Sequence, residues 1–456
     1  MSYPPMAGPC AVRATSTPFG PAFSADPLPG AAVSRSLAGV SHPVDLPSVP
    51  AVPSDRGGFD RAALVLEHLP ELIEIRRDLH MHPELGRQEV RTTALLKARL
   101  EQAGLAPRVL PGGTGLICDI VPGGSPAGAP LTAFRADIDA LPIDDAKPAS
   151  VPYRSTVPGR AHACGHDVHT VVLLGLALVL ARAAAAGALP GPVRLLFQPA
   201  EEVMPGGALD MIAAGALEGV GRIYAVHCDP KVEVGRIGLK VGAITSACDR
   251  LLLNLDGPGG HTARPHLTTD LVTAIARMAV DLPGILNRRM DPRWGVSLVW
   301  GRIASGSAAN AIPQHAELEG TVRCLELAGW REAPGALEEL VAQIAETHRA
   351  KWVLDYHRGV PPVVNEAESV RLIAEAMERS LGPDRVESTE QSLGGEDFSW
   401  YLEDVPGALA RLGVRPVGDT AARDLHQGTF DVDEGAIGVG VGLFAELALG
   451  STGGTA

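Results

Sequence analysis

Hydrophobic positions in the first half of the chain alternate between helical and strand spacing. Between Phe59 and Arg77, leucines and isoleucines recur every three to four residues, which predicts an amphipathic helix. Short apolar runs bounded by Gly and Pro predict strands between such helices. The predicted elements are helices over 59–77 and 91–103, strands over 115–122 and 131–135, a long apolar helix after residue 167 that ends near residue 187, a strand over 193–197, a helix over 207–217 and a strand over 223–226. Strands that alternate with helices indicate an α/β fold with a mostly parallel sheet flanked by helices.

The pattern changes after about Ser246 and returns near Pro361. The middle part has more strands than helices, with strands predicted over 251–255, 295–302 and 316–325 and helices over 270–282 and 334–349. The first pattern then resumes with a helix over 369–379, a strand near 408–412 and a final helix over 434–449. We therefore expect a discontinuous main domain over 56–245 and 361–456, and an inserted α+β domain over 246–360.

Composition excludes several classes of protein. The chain has 39 basic and 53 acidic residues, a net charge of −14, and no basic cluster, which argues against a nucleic-acid partner. Its six cysteines are scattered, so we expect a reducing, cytoplasmic environment. Residues 1–55 are rich in Pro, Ala and Ser and are expected to be a disordered extension. The most apolar window, 171–189, contains Arg182, which favours a buried helix over a membrane span.

The densest candidate chemistry is the stretch AHACGHDVHT, residues 161–170. Cys164 and His166 are separated by Gly165 alone, so on an extended backbone their side chains would point to the same side. A thiolate and an imidazole placed in this way form half of a metal site. The alternative is a buried structural cysteine beside histidines that cap a helix.

Further polar residues follow several of the predicted strands. Asp137 and Asp139 come after the strand that ends near Arg135, Glu201 and Glu202 after the strand over 193–197, and His227 after the strand that ends at residue 226. Functional groups of parallel sheets gather at the carboxyl ends of the strands, so these side chains are expected to converge.

The candidates, if they meet, form a two-metal site. The candidate ligands are Cys164, His166, Glu202, His227 and His426. Five ligands are too many for one tetrahedral zinc ion but suit two ions that share a ligand, an arrangement typical of aminopeptidase-type hydrolysis. Glu201, next to a ligand, is the candidate for moving a proton to the departing amine. Asp139 is expected to receive a hydrogen bond from a ligating imidazole.

Eight motifs resemble the M20 metallopeptidase/amidohydrolase family, in its branch of hippurate hydrolases, N-acyl-amino-acid amidohydrolases and auxin-conjugate hydrolases. The resemblance runs from about Leu69 to the last predicted helix. The matching stretches are RRDLHMHPELGRQE (76–89), FRADIDALPI (134–143), HACGHDVHT (162–170), FQPAEE (197–202), GGHTARPH (259–266), GTVR (320–323), GGEDFSWYL (394–402) and LHQGTFD (425–431).

The resemblance implies roles for individual residues. It implies the same five metal ligands, Glu201 as general base and Asp139 beside the ligands. It also implies that the inserted domain is a ferredoxin-like lid that can form a homodimer. In that lid, His261 resembles the oxyanion-stabilising histidine, while Asn310 and Arg323 resemble residues that hold a substrate carboxylate. The chain departs from the family pattern at Cys228, which follows His227, and in its N-terminal extension.

The resulting expectation is a metal-dependent amidohydrolase that splits small-molecule N-acyl amino acids into a carboxylic acid and an amino acid. The cofactors would be two divalent ions: Mn, Zn or Co. A dipeptidase or carboxypeptidase of the same family, a cysteine hydrolase with Cys164 as nucleophile, and a non-enzymatic binding protein remain as alternatives. Asp137 and Glu396 are left between a site role and a turn, and His169 is expected to cap or orient the helix that follows it.

Overall fold

The computed structural model describes residues 59–421 and 423–450, so the predicted N-terminal extension lies outside the described residues. The helices are α1 Arg61–Met81, α2 Val90–Gln102, α3 His166–Ala185, α4 Ala208–Ala213, α5 Leu271–Arg289, α6 Leu327–His348, α7 Ala367–Leu381, α8 Ser399–Leu402 and α9 Gly435–Leu449, with 3₁₀ turns at Pro265–Leu267 and Pro292–Trp294.

The strands form two larger sheets and two short ribbons. They are β1 Arg108–Val109, β2 Leu116–Ile120, β3 Leu131–Asp137, β4 Val193–Gln198, β5 Val220–Glu233, β6 Ile237–Leu239, β7 Gly242–Ala243, β8 Cys248–Asp256, β9 Gly260–His261, β10 Ser297–Ser305, β11 Ala311–Ile312, β12 His315–Arg323, β13 Lys351–Val360, β14 Val364–Asn365, β15 Val386–Ser388 and β16 Gly407–Arg415.

The main sheet has eight strands in the order β1-β2-β4-β3-β5-β16-β6-β15. Its centre is parallel, because β4, β3, β5 and β16 pair in parallel with one another. Antiparallel pairs join β1, β2 and β6 to this centre. The parallel strands therefore direct their carboxyl ends to one edge of the sheet, where the candidate residues follow them.

Helices cover both faces of the main sheet. On one face, α3 packs against α1, α9 and β3. Residues of α4 and α8, including Met211 and Tyr401, pack with Ala133 and Leu196 on the other face. Among the described helices, α3 alone is long and apolar enough to cross a membrane, and 78% of that window is buried inside the protein. This agrees with the predicted buried helix.

The second sheet is antiparallel, in the order β10-β12-β8-β13. Helices α5 and α6 pack on it and contribute Leu282, Trp330 and Leu337 to a separate core. In chain order the unit reads β8-α5-β10-β12-α6-β13, which is the ferredoxin-like βαββαβ arrangement. Together the two sheets confirm the predicted α/β fold class with an α+β lid.

The strand prediction missed several short strands, among them β6 and β15, and was wrong for two long ones. The strand Lys351–Val360 was missed, because its run KWVLDYHRGV mixes charged and apolar residues without strict alternation. The strand predicted to end at residue 226 instead continues to Glu233, because it pairs with β16 from Ile223 to Asp229 and again at Glu233. His227 therefore lies within a strand and not at its end.

Candidate metal centre and active site

Cys164 and His166 lie on a tight turn into a helix and not on an extended backbone. Gly165 between them has φ 88°, in the left-handed region, and His166 is the first residue of α3. A Cβ atom on Gly165 would lie 2.8 Å from the Cys228 sulfur, so glycine is required both by conformation and by space. The backbone is therefore not extended at this point, but the turn still brings both side chains into one buried site.

The five candidate ligands come together. Three donor atoms lie within 4.8 Å of one another in the group Cys164, His166 and His227, and the same holds for Cys164, Glu202 and His426. Cys164 belongs to both groups, which matches two ions with one shared ligand. Its sulfur lies 3.5 Å from Nε2 of His227.

Hydrogen bonds define which nitrogen of each buried imidazole faces the site. Nδ1 of His227 lies 2.8 Å from the Cys228 carbonyl oxygen, and Nδ1 of His166 lies 3.1 Å from the Asp139 carbonyl oxygen and 3.2 Å from its Oδ1. A carbonyl oxygen only accepts, so both Nδ1 atoms donate and each Nε2 presents a lone pair. Asp139 thus has the predicted position beside a ligating imidazole.

Nε2 of His166 is the clearest sign of a metal. It is buried and makes no hydrogen bond within the part of the chain that the structure describes. Carboxylate oxygens of Asp137, Glu202 and Glu201 lie 3.7, 3.9 and 4.0 Å away. A buried lone pair among anionic oxygens suits a divalent cation, so the donors present fit the expected ions.

His426 completes the second group from a loop. Its φ of 62° is left-handed, and its backbone N–H donates to the Ala163 oxygen at 2.8 Å, next to Cys164. Its Nε2 lies 3.2 Å from Oε1 of Glu202. Hydrogen bonding to Cys164 and then to Glu202 raises the pKa of His426 to about 10, which shows how negative the surroundings are.

Glu201 shares His166 as a neighbour with Glu202 but also lies in a second group of carboxylates. Its carboxylate lies within 4.8 Å of those of Glu396 and Asp397, and all three are buried. Burial, followed by the charge of Glu396, raises the pKa of Glu201 well above its ordinary value. The two adjacent glutamates were expected to have different partners; they share His166, whereas Glu396 and Asp397 lie beside Glu201 alone and Cys164 and His426 beside Glu202 alone.

Arg135 anchors this acidic group and was not recognised in the sequence. Its guanidinium contacts Asp137 at 2.6 Å, Asp397 at 2.8 Å and Glu396 at 3.0 Å. The sequence signal was an arginine inside the otherwise mostly apolar strand LTAFRAD. An arginine buried in such a strand requires nearby carboxylates. Glu396 is therefore part of the site, where the sequence had left it between a site residue and a turn.

His169 and Asp137 support the ligands from behind. Oδ1 of Asp137 lies 2.6 Å from Nδ1 of His169, and Nε2 of His169 accepts a hydrogen bond from the Cys228 N–H at 2.8 Å. His169 lies inside α3 and joins two strands, so the expectation that it caps or orients a following helix was wrong. Cys228, the departure from the family pattern, is buried and its thiol packs against the Gly165 oxygen at 3.7 Å.

The lid candidates lie outside this cluster. His261 and Asn310 are exposed, and their segments are joined by a hydrogen bond from Thr262 N–H to the Asn310 oxygen. Arg323 donates to the Leu393 oxygen at 2.7 Å, which places it beside the GGEDF loop. Across the described residues, neither a hydrogen bond nor an ion pair links His261, Asn310 or Arg323 to the five clustered donors.

Burial weakens the cysteine-hydrolase alternative. Burial raises the pKa of the Cys164 thiol in spite of the neighbouring His166, whereas a nucleophilic cysteine needs a lowered pKa. That alternative also leaves Glu201, Glu202 and His227 without a function.

Comparisons with known proteins agree with the geometry. The family model described as Peptidase family M20/M25/M40 matches residues 133–450. A solved Bacillus subtilis structure, described as a dinuclear metal binding peptidase from the M20 family, has a TM-score of 0.70 and 33% identity over 84% of this chain and 98% of its own.

Curated relatives include an N-acetyl-L-cysteine deacetylase of Bacillus subtilis, 37% identical over 80% of this chain and 85% of its own length. An IAA-amino acid hydrolase of Arabidopsis thaliana is 30% identical over 83% of this chain and 84% of its own. A Rhodococcus jostii protein provisionally named glutamate–cysteine ligase 2-3 is 46% identical over 377 residues, but the chain spans about half the length of that relative, 46%. The chain belongs to peptidase family M20/M25/M40 and is a hydrolase of amide bonds.

Proposed function

We propose that the protein hydrolyses the amide bond of N-acyl amino acids and releases a carboxylic acid and a free amino acid. The observation that carries the proposal is the convergence of two three-donor groups on Cys164, with the carboxylate of Glu201 4.0 Å from Nε2 of His166. Relatives named as an N-acetyl-L-cysteine deacetylase and an IAA-amino acid hydrolase support this substrate class.

The residues that would hold the two ions are those of the two groups. Cys164, His166 and His227 form one set, and Cys164, Glu202 and His426 form the other. Divalent ions bound there would polarise the scissile carbonyl and lower the pKa of water. Thiolate and imidazole donors suit zinc, and the carboxylates extend the choice to manganese or cobalt.

Glu201 would carry the proton. Its carboxylate is buried and not bound into either of the two sets, so it is placed to accept a proton from the attacking water and to deliver it to the departing amine. Asp139 keeps the Nδ1 proton of His166 directed away from the site, and so preserves the Nε2 lone pair.

The lid would supply the remaining contacts. We propose His261 as the donor to the developing oxyanion and Asn310 and Arg323 as the residues that hold the substrate carboxylate. All three lie on the lid and away from the cluster in this structure, so these roles require the lid to move or a second subunit to contribute them.

The experiment combines substrates, metals and one variant. Purified protein is loaded with Zn, Mn or Co, its metal content is measured, and rates are compared on N-acetyl, benzoyl and indoleacetyl amino acids and on dipeptides. E201Q keeps the shape of the side chain, so we expect it to bind metal normally and to lose roughly 10²–10⁴-fold in kcat. Faster hydrolysis of dipeptides would favour the peptidase alternative, and no amide hydrolysis by metal-loaded protein would refute the proposal.

We also propose a homodimer through the lid. Strand β10 is an edge of the lid sheet, and Val299 and Ile303 on it are 61% and 54% exposed, while Val280 on the adjacent α5 is 71% exposed. A paired edge would cover this apolar surface. Light scattering after gel filtration should give twice the chain mass, reduced by I303K but not by V417K, which changes a still more exposed apolar residue of the main domain. A monomeric wild-type protein would contradict this.

A further inference from the structure

Two glutamates lie at the N-terminus of α2, and only one of them caps the helix. Glu89 occupies the N-cap position, but its side chain makes no capping hydrogen bond. Glu84 takes over this role: its Oε1 accepts the Arg91 N–H at 2.9 Å and its Oε2 accepts the Thr92 N–H at 2.8 Å. The carboxylate of Glu89 is therefore available for another partner.

That partner is the loop that carries Glu201. Oε1 of Glu89 accepts the Ala200 N–H at 2.7 Å, and Glu89 is fully buried. Ala200 is itself fully buried and has φ 56°, a left-handed conformation that a residue with a Cβ atom rarely adopts. Without Glu89, the Ala200 N–H would be a buried donor without an acceptor, in a backbone conformation that needs outside support.

A second carboxylate holds the loop on the other side of Glu201. Oδ2 of Asp139 accepts the Glu202 N–H at 3.0 Å. The amides immediately before and after Glu201 are thus fixed by carboxylates from two separate segments. Gly86 packs against the same loop, since a Cβ atom there would lie 3.1 Å from the Ala200 Cα.

We propose that Glu89 is a positioning residue that sets the orientation of the general base Glu201 through its hydrogen bond to Ala200. The inference rests on the proposed role of Glu201. Asp139 fixes the amide of Glu202, a metal ligand, whereas Glu89 fixes the residue before the base. Loss of Glu89 should therefore affect the proton-transfer step and leave the ions in place.

The arrangement is a poor one for stability alone. Oε2 of Glu89 is buried and has no hydrogen-bond partner among residues 59–421 and 423–450. Burial, with the nearby charge of Asp139, raises the pKa of Glu89 to about 7. A buried, half-satisfied carboxyl destabilises a fold, and a helix cap is better made by a short side chain.

E89D separates the two roles. The aspartate side chain is one methylene shorter and cannot reach Ala200, so the variant leaves a buried donor without an acceptor and its Tm should also fall. Rates measured well below Tm therefore separate the loss of stability from the loss of positioning. We expect kcat to fall roughly 10–100-fold, as misplacement of a catalytic group does, with KM and the bound metal per chain unchanged. E89Q retains an oxygen acceptor of the same reach and should keep kcat within about 3-fold of wild type.

E84A is the matched control. It removes the true cap of α2 and should lower Tm, yet at temperatures well below Tm it should keep kcat, because Glu84 does not hold the loop by its side chain. Wild-type kcat in E89D, equal losses of kcat in E84A and E89D, or loss of metal from E89D would each overturn the inference. So would an E89Q variant as impaired as E89D.

E201Q in the same assay separates the proposed role of Glu201 as general base from the proposed positioning role of Glu89. If E201Q is as active as wild type, the proposed role of Glu201 fails, and with it the reason to position that residue. If E201Q is inactive while E89D is fully active, the proposed function stands and the positioning role of Glu89 is refuted.

Discussion

Replacing Asp139 by asparagine should weaken metal binding without removing a ligand. Asp139 is fully buried and uses both carboxylate oxygens: Oδ1 faces Nδ1 of His166 at 3.2 Å and Oδ2 accepts the Glu202 N–H at 3.0 Å. Both partners are donors. An asparagine has one oxygen and one NH₂ group, so in either orientation D139N places a donor against a donor.

The size of the effect follows from that conflict. Residues that orient a metal ligand typically contribute 10–100-fold to metal affinity or activity, which corresponds to about 1.4–2.7 kcal/mol. Rotation of the amide places the conflict either at His166 or at the amide of Glu202, both proposed as ligands, so neither rotamer avoids it. The lower end of the range applies if the Asp139 carbonyl oxygen, 3.1 Å from Nδ1, keeps the His166 ring in place.

Competition with a chelator of known affinity measures this loss directly, alongside kcat and the thermal melting point. D144N is the matched control, since Asp144 lies five residues further along, is exposed, and accepts only the Gly159 N–H at 2.8 Å by its side chain. D139N with wild-type metal affinity and kcat would show that the hydrogen bonds to His166 and Glu202 do not hold the site together.

Three further predictions test the surroundings of the site. G165A should lower the free energy of unfolding by roughly 1–3 kcal/mol because of the strained backbone, and by a further amount because its Cβ atom would contact the Cys228 sulfur. G187A also has a left-handed backbone, at φ 68°, but open space around it, so it should show the backbone effect only. Equal losses for the two variants in chemical denaturation would contradict this. Burial alone would raise the pKa of Asp145, but hydrogen bonds from His80 and two backbone amides lower it. The ionised Asp145 therefore stabilises the fold above the unfolded-state pKa of about 3.9, and this stabilisation is lost as the pH falls below that value. D145N should be less stable than wild type at pH 7, and the difference in the free energy of unfolding should narrow below about pH 4. A difference that does not change with pH would refute the lowered pKa. Removal of metal should lower Tm, and zinc should restore it, because binding to the folded state alone stabilises it; identical melting curves would count against a metal centre.

The convergence of the candidate ligands could be predicted from the sequence because a parallel sheet brings the ends of its strands to one edge. Asp137 ends β3 and Gln198 ends β4, so the residues that follow, Asp139, Glu201 and Glu202, reach the same edge. This inference needs only the alternation of strands and helices. His227 reached the site although its strand was predicted too short, because the pairing of β5 with β16, which no local pattern reveals, extends the strand beyond it.

Two features could not be predicted because they depend on contacts between distant segments. The left-handed turn at Gly165 follows from the close approach of Cys228, and the left-handed Ala200 from its hydrogen bond to Glu89, more than a hundred residues earlier. The spacing of Cys164 and His166 was compatible with an extended backbone as well as with a bend, because local patterns carry no information about what packs against them. The positions of Asn310 and Arg323 likewise depend on how the lid docks.

Buried charges behind the site join the surroundings of the candidate metal ligands to the surroundings of Glu201. Arg135 binds Asp137 on one side and Glu396 and Asp397 on the other. Asp137 also holds His169, whose other nitrogen accepts the Cys228 N–H next to the ligand His227, whereas Glu396 lies beside the base Glu201. One buried guanidinium thus lies between the hydrogen bonds that reach the neighbourhood of His227 and the carboxylates that surround Glu201. Loss of the Arg135 charge should therefore disturb both metal binding and proton transfer, because it leaves several buried carboxylates without a counter-charge.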